Sequence, residues 1–392
     1  MPYGYLIGVA IMAVLVLAAS RPPRRPRAVA IAAFFLGMAI NEFPVLFVAM
    51  LTWSTVQTLL DGRVLRVDGG WVALLFAGIV GASMVLLQLR AVTARRVISA
   101  ALGTPVPATT PPWLSRLLPI TFRPRGVERL SGLHYAPGGR ERTLDLYRRR
   151  DLTAPAPTLI YVHAGGYVSG NKRWGARLLL HRMAARGWVV ISANYGLRPR
   201  VGYPGHLIDA KRVIAWVHEE AGNFGMDPST IVMAGSSAGA HLATIAGLTA
   251  GDPRFQPGFE HVDTRLTAMI GFFGYYGSYY GSSSGMGDRA TPPSSPFDFD
   301  PRRAPATFLA HGDLDSFTPV ESARSLAARL DAASPHPVVY AELPGAQHGF
   351  DLAASERFQA VVDGVGVFLD RVLSERDHAT PEHTDRRRAD GT

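Results

Sequence analysis

The amino-acid sequence predicts an α/β protein with a mostly parallel central sheet, preceded by a membrane anchor of about three transmembrane helices. Two observations support this prediction. Short apolar segments rich in β-branched residues alternate with amphipathic helical segments over residues 126–372, which is typical of parallel strands joined by covering helices. Three long apolar runs come before this region, within residues 1–98.

Composition excludes several classes of protein. The chain has 392 residues, of which 47% are hydrophobic and 18% charged, so it is too apolar for a disordered protein. It has no cysteine, which excludes a disulfide-stapled scaffold. The net charge of +9 would suit a nucleic-acid partner, but nine arginines face only three acidic residues within residues 1–98. Positive charge beside apolar runs indicates membrane topology, and no nucleic-acid partner is expected.

The anchor is predicted from apolar runs near residues 3–20, 28–51 and 69–90. A helix rises 1.5 Å per residue, so each run can cross a hydrocarbon core of about 30 Å. The second run contains Glu42 and Pro44. A carboxylate at that depth is costly unless it is paired, and proline breaks helices, so we expect a break at Pro44 with Glu42 facing other helices or an interface.

Arginine distribution predicts the orientation of the anchor. Only Arg63 and Arg66 lie in the loop between the second and third runs. The loop between the first two runs and the segment after the third carry the other arginines: Arg21, Arg24, Arg25, Arg27, Arg90, Arg95 and Arg96. Positive loops stay cytoplasmic, which predicts a multi-pass membrane protein with its N-terminus outside and residues 99–392 on the cytoplasmic side.

The remainder of the chain divides into three segments. Residues 99–125 contain two Thr-Pro pairs and one Pro-Pro pair and are predicted to be a linker. Residues 126–372 are predicted to form the folded domain, and residues 373–392 a disordered tail. Helices are predicted near residues 207–220, 238–249 and 356–373. Predicted strands cover residues 158–163, 188–193, 231–234, 266–273, 306–310 and 337–343. Reactive loops are expected at the carboxyl ends of these strands.

The pentapeptide Gly-Ser-Ser-Ala-Gly at residues 235–239 gives the most specific chemical signal. It follows a predicted strand and opens a predicted helix, which is the context of a nucleophile elbow. A sharp turn there would strain the backbone of Ser237 and expose its hydroxyl group, while Gly235 and Gly239 avoid steric clashes. Ser237 is therefore the predicted nucleophile.

A serine hydroxyl needs a base, and the base needs an orienting acid. His348 lies in a loop directly after a predicted strand, so it should reach the same sheet edge as Ser237. Asp313 and Asp315 both follow the strand at residues 306–310, and we favour Asp315 as the acid, with Asp313 capping the turn. His241 is one helical turn past Ser237 and is expected to pack in the core.

A tetrahedral oxyanion needs preorganised N–H donors. Gly165 and Gly166 follow the predicted strand at residues 158–163 and are candidate donors, together with the N–H of Ala238 after the nucleophile. His163 is expected to organise this loop and not to act as the base. No metal-ligand spacing and no phosphate-binding glycine motif occurs, so neither a metal nor a cofactor is expected.

These motifs together resemble the α/β-hydrolase fold, and in particular the hormone-sensitive-lipase-like esterases. Neighbouring branches include isoprenylcysteine methylesterase-like proteins and membrane-anchored Lip-type carboxylesterases. The resemblance covers roughly residues 125–372 and implies that Gly165 and Gly166 supply oxyanion N–H groups. Ala164 stands where the first of three glycines is usual. The motifs that carry the resemblance are residues 163–166, 235–239, 311–315 and 347–349.

The expected function is a membrane-anchored serine esterase or lipase that acts on esters with an apolar acyl or lipid part, with membrane lipid as its other partner. Two alternatives stay open. An amidase or peptidase could use the same three residues, and a non-catalytic membrane protein could use the domain only to bind a ligand. Whether residues 275–300 form a lid is also open.

Overall fold

An eight-stranded sheet forms the centre of the computed structural model, which describes residues 3–23, 25–62, 64–108, 121–279 and 292–379. The strands, in chain order, are β1 (Val127–His134), β2 (Thr143–Arg149), β3 (Ala156–Val162), β4 (Val189–Ala193), β5 (Met226–Ser236), β6 (Ala268–Phe272), β7 (Ala306–Gly312) and β8 (Val338–Leu343). Their spatial order is β1-β2-β4-β3-β5-β6-β7-β8. Strands β3 to β8 run parallel, which confirms the predicted sheet type.

Strands β1 and β2 were not predicted from the sequence. They pair antiparallel with each other, and β2 pairs antiparallel with β4. Strand β1 lies at the sheet edge, where most of its residues are at least partly exposed, so it lacks the continuous apolar run that marked the buried parallel strands.

Nine α-helices occur in the described part of the chain. They are α1 (Tyr3–Ser20), α2 (Arg27–Glu42), α3 (Pro44–Leu60), α4 (Gly70–Leu102), α5 (Arg177–Ala185), α6 (Gly205–Phe224), α7 (Ala238–Leu248), α8 (Val320–Asp331) and α9 (Glu356–Ala379). Helices α6, α7 and α8 contribute to one large apolar cluster with the strands, whereas α5, α9 and the end of α4 contribute to a second. The sheet is therefore covered by helices, as the α/β alternation predicted.

The N-terminal helices are apolar enough to cross a membrane in two cases. Helices α1 and α4 are each long and apolar enough to span a membrane. Helices α2 and α3 satisfy these two criteria only when taken together, and they are bent by 84° relative to each other. The run over residues 28–51 is therefore broken at Pro44, as its sequence predicted. Pro44 is the first residue of α3, and its ring prevents the helix from continuing through residue 43.

Helix α4 is longer than the predicted third span and overlaps the predicted linker. It continues beyond residue 90 to Leu102 because Ala94, Ile98 and Leu102 are buried in the apolar cluster beside α9. Arg95 pairs with Asp363 of α9 at 2.8 Å. Residues 99–102 are therefore helical. Of the rest of the predicted linker, residues 109–120 lie outside the described residues.

Two further predictions differ from the structure or fall outside it. Helix α9 extends to Ala379, so residues 373–379 are helical and not part of a disordered tail, while residues 380–392 lie outside the described residues. Residues 280–291, in the middle of the candidate lid at residues 275–300, also lie outside the described residues. Helices α5 and α8 are additional elements that the sequence analysis did not predict.

Candidate active site

Ser237 lies between β5 and α7 with a backbone conformation that non-glycine residues rarely adopt. Its φ is +54° and its ψ −117°. A Cβ atom on Gly235 would lie 2.3 Å from the carbonyl carbon of Gly239, and one on Gly239 would lie 2.1 Å from the carbonyl oxygen of Val162. Only glycine fits at both positions, so the pentapeptide forms the sharp turn that its sequence predicted.

Three residues predicted to act together are in hydrogen-bonding contact. The Ser237 hydroxyl donates to Nε2 of His348 at 3.0 Å, and Nδ1 of His348 donates to Oδ2 of Asp315 at 2.8 Å. Asp315 follows β7 and His348 follows β8, so both reach the carboxyl edge of the sheet where β5 delivers Ser237. The arrangement links a hydroxyl group, an imidazole and a buried carboxylate in one line of proton-transfer contacts.

The Asp315 carboxylate is held by donors on both oxygens. Oδ1 accepts the backbone N–H groups of Phe317 and Thr318, each at 2.8 Å, and Oδ2 also accepts the Thr318 hydroxyl at 2.9 Å. Burial by itself would raise the pKa of Asp315, but the charge of His348 and hydrogen bonds from His311 and His348 outweigh it. The pKa of Asp315 therefore lies well below its ordinary value, and the group stays ionised.

Asp313 and His241, the other candidates for the acid and the base, make different contacts. Asp313 accepts the backbone N–H of Gly345 at 2.7 Å, which is a turn-stabilising contact of the kind expected for it. His241 is fully buried in α7, and its Nδ1 lies 2.6 Å from the Tyr167 hydroxyl. Its Nε2 donates to the carbonyl of Ser294 at 2.8 Å. Burial lowers the pKa of His241 to about 4, so this ring is neutral at pH 7.

The glycine loop after β3 lies against the start of α7. The close approach of Gly239 to the Val162 carbonyl brings the loop and the elbow together. The backbone N–H groups of Gly165, Gly166 and Ala238 donate to no backbone carbonyl in the described part of the chain. Gly165 has a φ of +135°, and a Cβ atom there would lie 1.9 Å from the Ser169 carbonyl oxygen.

His163 lies beneath this loop. Its ring stacks on Tyr195 with centroids 4.5 Å apart, and its Nδ1 lies 2.7 Å from the carbonyl oxygen of Ala164. A Cβ atom on Gly170 would lie 2.6 Å from the same Nδ1. Burial lowers the pKa of His163 to about 4, which keeps the ring neutral at pH 7 and suits a packing role.

A buried polar cluster behind the elbow was missed by the sequence analysis. Oδ2 of Asp351 accepts the Ser236 hydroxyl at 2.6 Å, the Tyr161 hydroxyl at 3.1 Å and the Ala176 N–H at 3.1 Å. Burial raises the pKa of Asp351. No local motif marks Asp351 in the sequence, because its partners come from three distant elements. Thr318, which donates to Asp315, was also missed. Its position three residues after an aspartate in a turn could have predicted that hydrogen bond.

Metal chemistry has no evident site in the described ranges. No group of three or more His, Cys, Asp or Glu side chains there is arranged to hold a metal ion. The polar groups around Ser237 are hydrogen-bonded to one another, and such an arrangement can support proton transfer.

Comparisons with known proteins identify the chain's relatives. The BD-FAE family matches residues 144–277. The chain is 39% identical to esterase LipQ of Mycobacterium tuberculosis over 64% of each chain. It is 35% identical to the probable carboxylic ester hydrolase LipM of the same organism over 97% of this chain and 95% of LipM. The apo form of Thermogutta terrifontis esterase 2 superimposes with a TM-score of 0.54 at 25% identity, covering 66% of this chain and 97% of the esterase.

The fold and these relatives define the chain as an α/β-hydrolase of the esterase class. More particularly, the chain belongs to the family of Lip-type carboxylic ester hydrolases that includes LipM. The resemblance drawn from the sequence motifs is thereby confirmed at the level of the family.

Proposed function

We propose that this chain is a membrane-anchored serine esterase in which Ser237, His348 and Asp315 form the catalytic triad. His348 takes the proton of Ser237 as the hydroxyl oxygen attacks the ester carbonyl carbon. Asp315 orients the imidazole and stabilises the imidazolium. His348 then gives the proton to the leaving alcohol, and an acyl-enzyme remains. In the second half of the reaction, His348 takes a proton from water as the water attacks the acyl group, and it returns that proton to Ser237 when the acid leaves.

The observation that carries this proposal is the pair of contacts that joins Ser237 to His348 and His348 to Asp315, at 3.0 and 2.8 Å. The tetrahedral intermediate would be stabilised by the N–H groups of Gly165, Gly166 and Ala238, each donor of this kind contributing about 3 kcal/mol. His163 would keep their loop in place. No cofactor is needed for any of these steps.

The rates at which the chain cleaves an ester and an amide of the same acid distinguish an esterase from an amidase or peptidase. We expect p-nitrophenyl butyrate to show a burst of p-nitrophenol equal to the enzyme concentration, followed by a slower steady rate, because the acyl-enzyme accumulates. The matched p-nitroanilide of butyric acid should be cleaved far more slowly, because its amine is a poorer leaving group that must be protonated. Absorbance at the nitrophenol and nitroaniline bands measures both reactions.

The outcomes of this comparison are distinct. Equal or faster cleavage of the anilide would assign the chain to the amidase alternative. Absence of both reactions, together with no covalent labelling by a fluorophosphonate, would instead favour the non-catalytic ligand-binding alternative.

Membrane anchoring is supported by the lengths and exposed surfaces of the N-terminal helices. Helices α1 and α4 can each span a bilayer, and α2 with α3 can form one broken span. Large apolar side chains on these helices are exposed, including Trp53 and Trp71, each 68% exposed. We propose three crossings with the N-terminus outside, the catalytic domain on the cytoplasmic side and apolar esters reaching the site from nearby lipid.

The absence of cysteine makes this topology directly testable. In intact cells, a membrane-impermeant maleimide should label Leu65→Cys, which lies in the exposed loop between α3 and α4. It should label Ser374→Cys, exposed on α9, only after permeabilisation. The reverse pattern would place the catalytic domain outside. Labelling of both variants in intact cells would mean that α4 does not cross the membrane, which would contradict the three proposed crossings.

A further inference from the structure

Helix α2, from the N-terminal helical region, lies against the catalytic histidine. The Phe34 ring packs edge-on to the Phe317 ring with centroids 4.7 Å apart, and its centroid lies 6.3 Å from that of His348. Phe317 itself stacks on His348 at 5.3 Å and is 41% exposed. One apolar wall beside the imidazole is therefore built from α2 and from the loop that follows Asp315.

Two polar contacts hold α2 in this place. At its C-terminal end, Nδ2 of Asn41 donates to the Gly345 carbonyl at 2.9 Å. Glu42 accepts a hydrogen bond from Nη1 of Arg357 at 2.6 Å, and the side chains of Glu42 and Arg357 are 5% and 0% exposed. A buried ion pair of this kind specifies one docking geometry, because either charge left alone would be costly. Glu42 is thus paired with the catalytic domain and not with another helix of the anchor.

The position of this wall relative to the reaction identifies which part of a substrate it meets. In the proposed mechanism, Nε2 of His348 delivers its proton to the oxygen of the leaving alcohol. The alcohol part of the ester must therefore lie beside the imidazole, whereas the carbonyl oxygen points to the N–H groups of Gly165, Gly166 and Ala238. Phe34 and Phe317 border the imidazole, so they border the alcohol part.

We infer that Phe34 is a specificity-determining residue, and that α2 forms the alcohol-side wall of the active site and selects esters of apolar alcohols. This inference rests on the proposed triad. The anchor then has a second role besides attachment, since one of its helices completes the substrate site. An apolar chain on the alcohol would gain contact with the Phe34 and Phe317 rings, and a methyl ester would not.

Two ester series test this assignment with the full chain in detergent. The first holds the acid as acetate and varies the alcohol from methyl to octyl, and the second holds methanol and varies the acid from acetate to octanoate. We expect Phe34→Ala to lower kcat/KM for octyl acetate about tenfold, mainly through KM, because a lost apolar contact in a pocket has this size of effect. Methyl acetate and the whole acyl series should change less than twofold.

Control variants separate a specificity role from loss of folding. Phe35→Ala, at the adjacent and 65% exposed position, should keep the wild-type profile, and Phe34→Leu should restore most of the octyl preference. The double variant Glu42→Gln with Arg357→Met removes both buried charges about two helical turns from Phe34. It should shift the profile towards that of Phe34→Ala, because one of the two polar contacts that hold α2 is lost.

The outcomes distinguish this inference from the proposal on which it rests. An unchanged alcohol-chain profile in Phe34→Ala, with active wild-type enzyme, would overturn the inference and leave the triad standing. A loss that is equal across both series would make Phe34 a purely structural residue and would also overturn it. Failure of the wild type to hydrolyse any ester of either series would instead count against the proposed function.

Discussion

Replacing Ser237 with alanine is expected to lower kcat for ester hydrolysis roughly 10⁶-fold, because triad members act as a unit and no other hydroxyl contacts His348 from the elbow. The same variant should lose covalent labelling by a fluorophosphonate probe. Turnover of p-nitrophenyl butyrate and in-gel fluorescence measure the two effects. Thermal unfolding should change little, since the hydroxyl contributes one partly exposed hydrogen bond.

The adjacent serine provides a matched control. The Ser236 hydroxyl donates to Asp351 at 2.6 Å and accepts from the Tyr161 hydroxyl, whereas His348 contacts Ser237, so Ser236→Ala should keep its labelling. Its unfolding temperature should fall, because the buried Asp351 carboxylate loses a donor. Full labelling of Ser237→Ala, or loss of labelling in Ser236→Ala with the fold intact, would contradict the assignment of the nucleophile.

Replacing Asp315 with asparagine is expected to lower kcat about 10⁴-fold while the fold is retained. Asparagine keeps the shape but cannot stabilise the imidazolium or hold the same tautomer. Asp313→Asn is the matched control, because an amide oxygen can still accept the Gly345 N–H, and its kcat should stay within a few-fold of wild type. The reverse ranking of the two variants would move the orienting role to Asp313.

The depressed pKa of Asp315 also predicts a pH dependence of stability. A carboxyl group whose pKa is lower in the folded than in the unfolded chain stabilises the fold above its unfolded pKa, which is 3.8 for an ordinary aspartate. That contribution is lost as pH falls through the folded pKa. The difference in unfolding temperature between wild type and Asp315→Asn should therefore be largest near neutral pH and shrink below about pH 4. A difference that grows on acidification would contradict the assigned pKa shift.

The contacts among Ser237, Asp315 and His348 could be anticipated because each residue follows a strand of the parallel sheet. The carboxyl ends of parallel strands meet at one edge, so local strand signals and chain order were enough to bring these residues near one another. Thr318 and Asp351 were missed, although both contact the groups around Ser237. Asp351 has no local signal because its partners come from distant elements, whereas Thr318 lies three residues after Asp315 and could have been found from that spacing.

The N-terminal region shows where sequence patterns fall short. Hydropathy indicated the apolar runs, and Pro44 indicated a possible break, but neither could show that α2 turns by 84° from α3 and packs on the catalytic domain. That geometry depends on the contact of Glu42 with Arg357, two residues 315 positions apart. Likewise, α4 continues to Leu102 because the catalytic domain buries its last turns, which no local propensity encodes.

The sequence by itself determined the α/β class, the parallel strands, the strained serine turn and the family, since all of these depend on short-range periodicity and on glycines placed where a Cβ atom would clash. Tertiary structure alone decided the docking of α2, the pairing of Glu42 with Arg357 and the ring of Phe34 beside His348. These features depend on burial and on contacts between distant segments, and a buried charge acquires its partner only when the chain has folded.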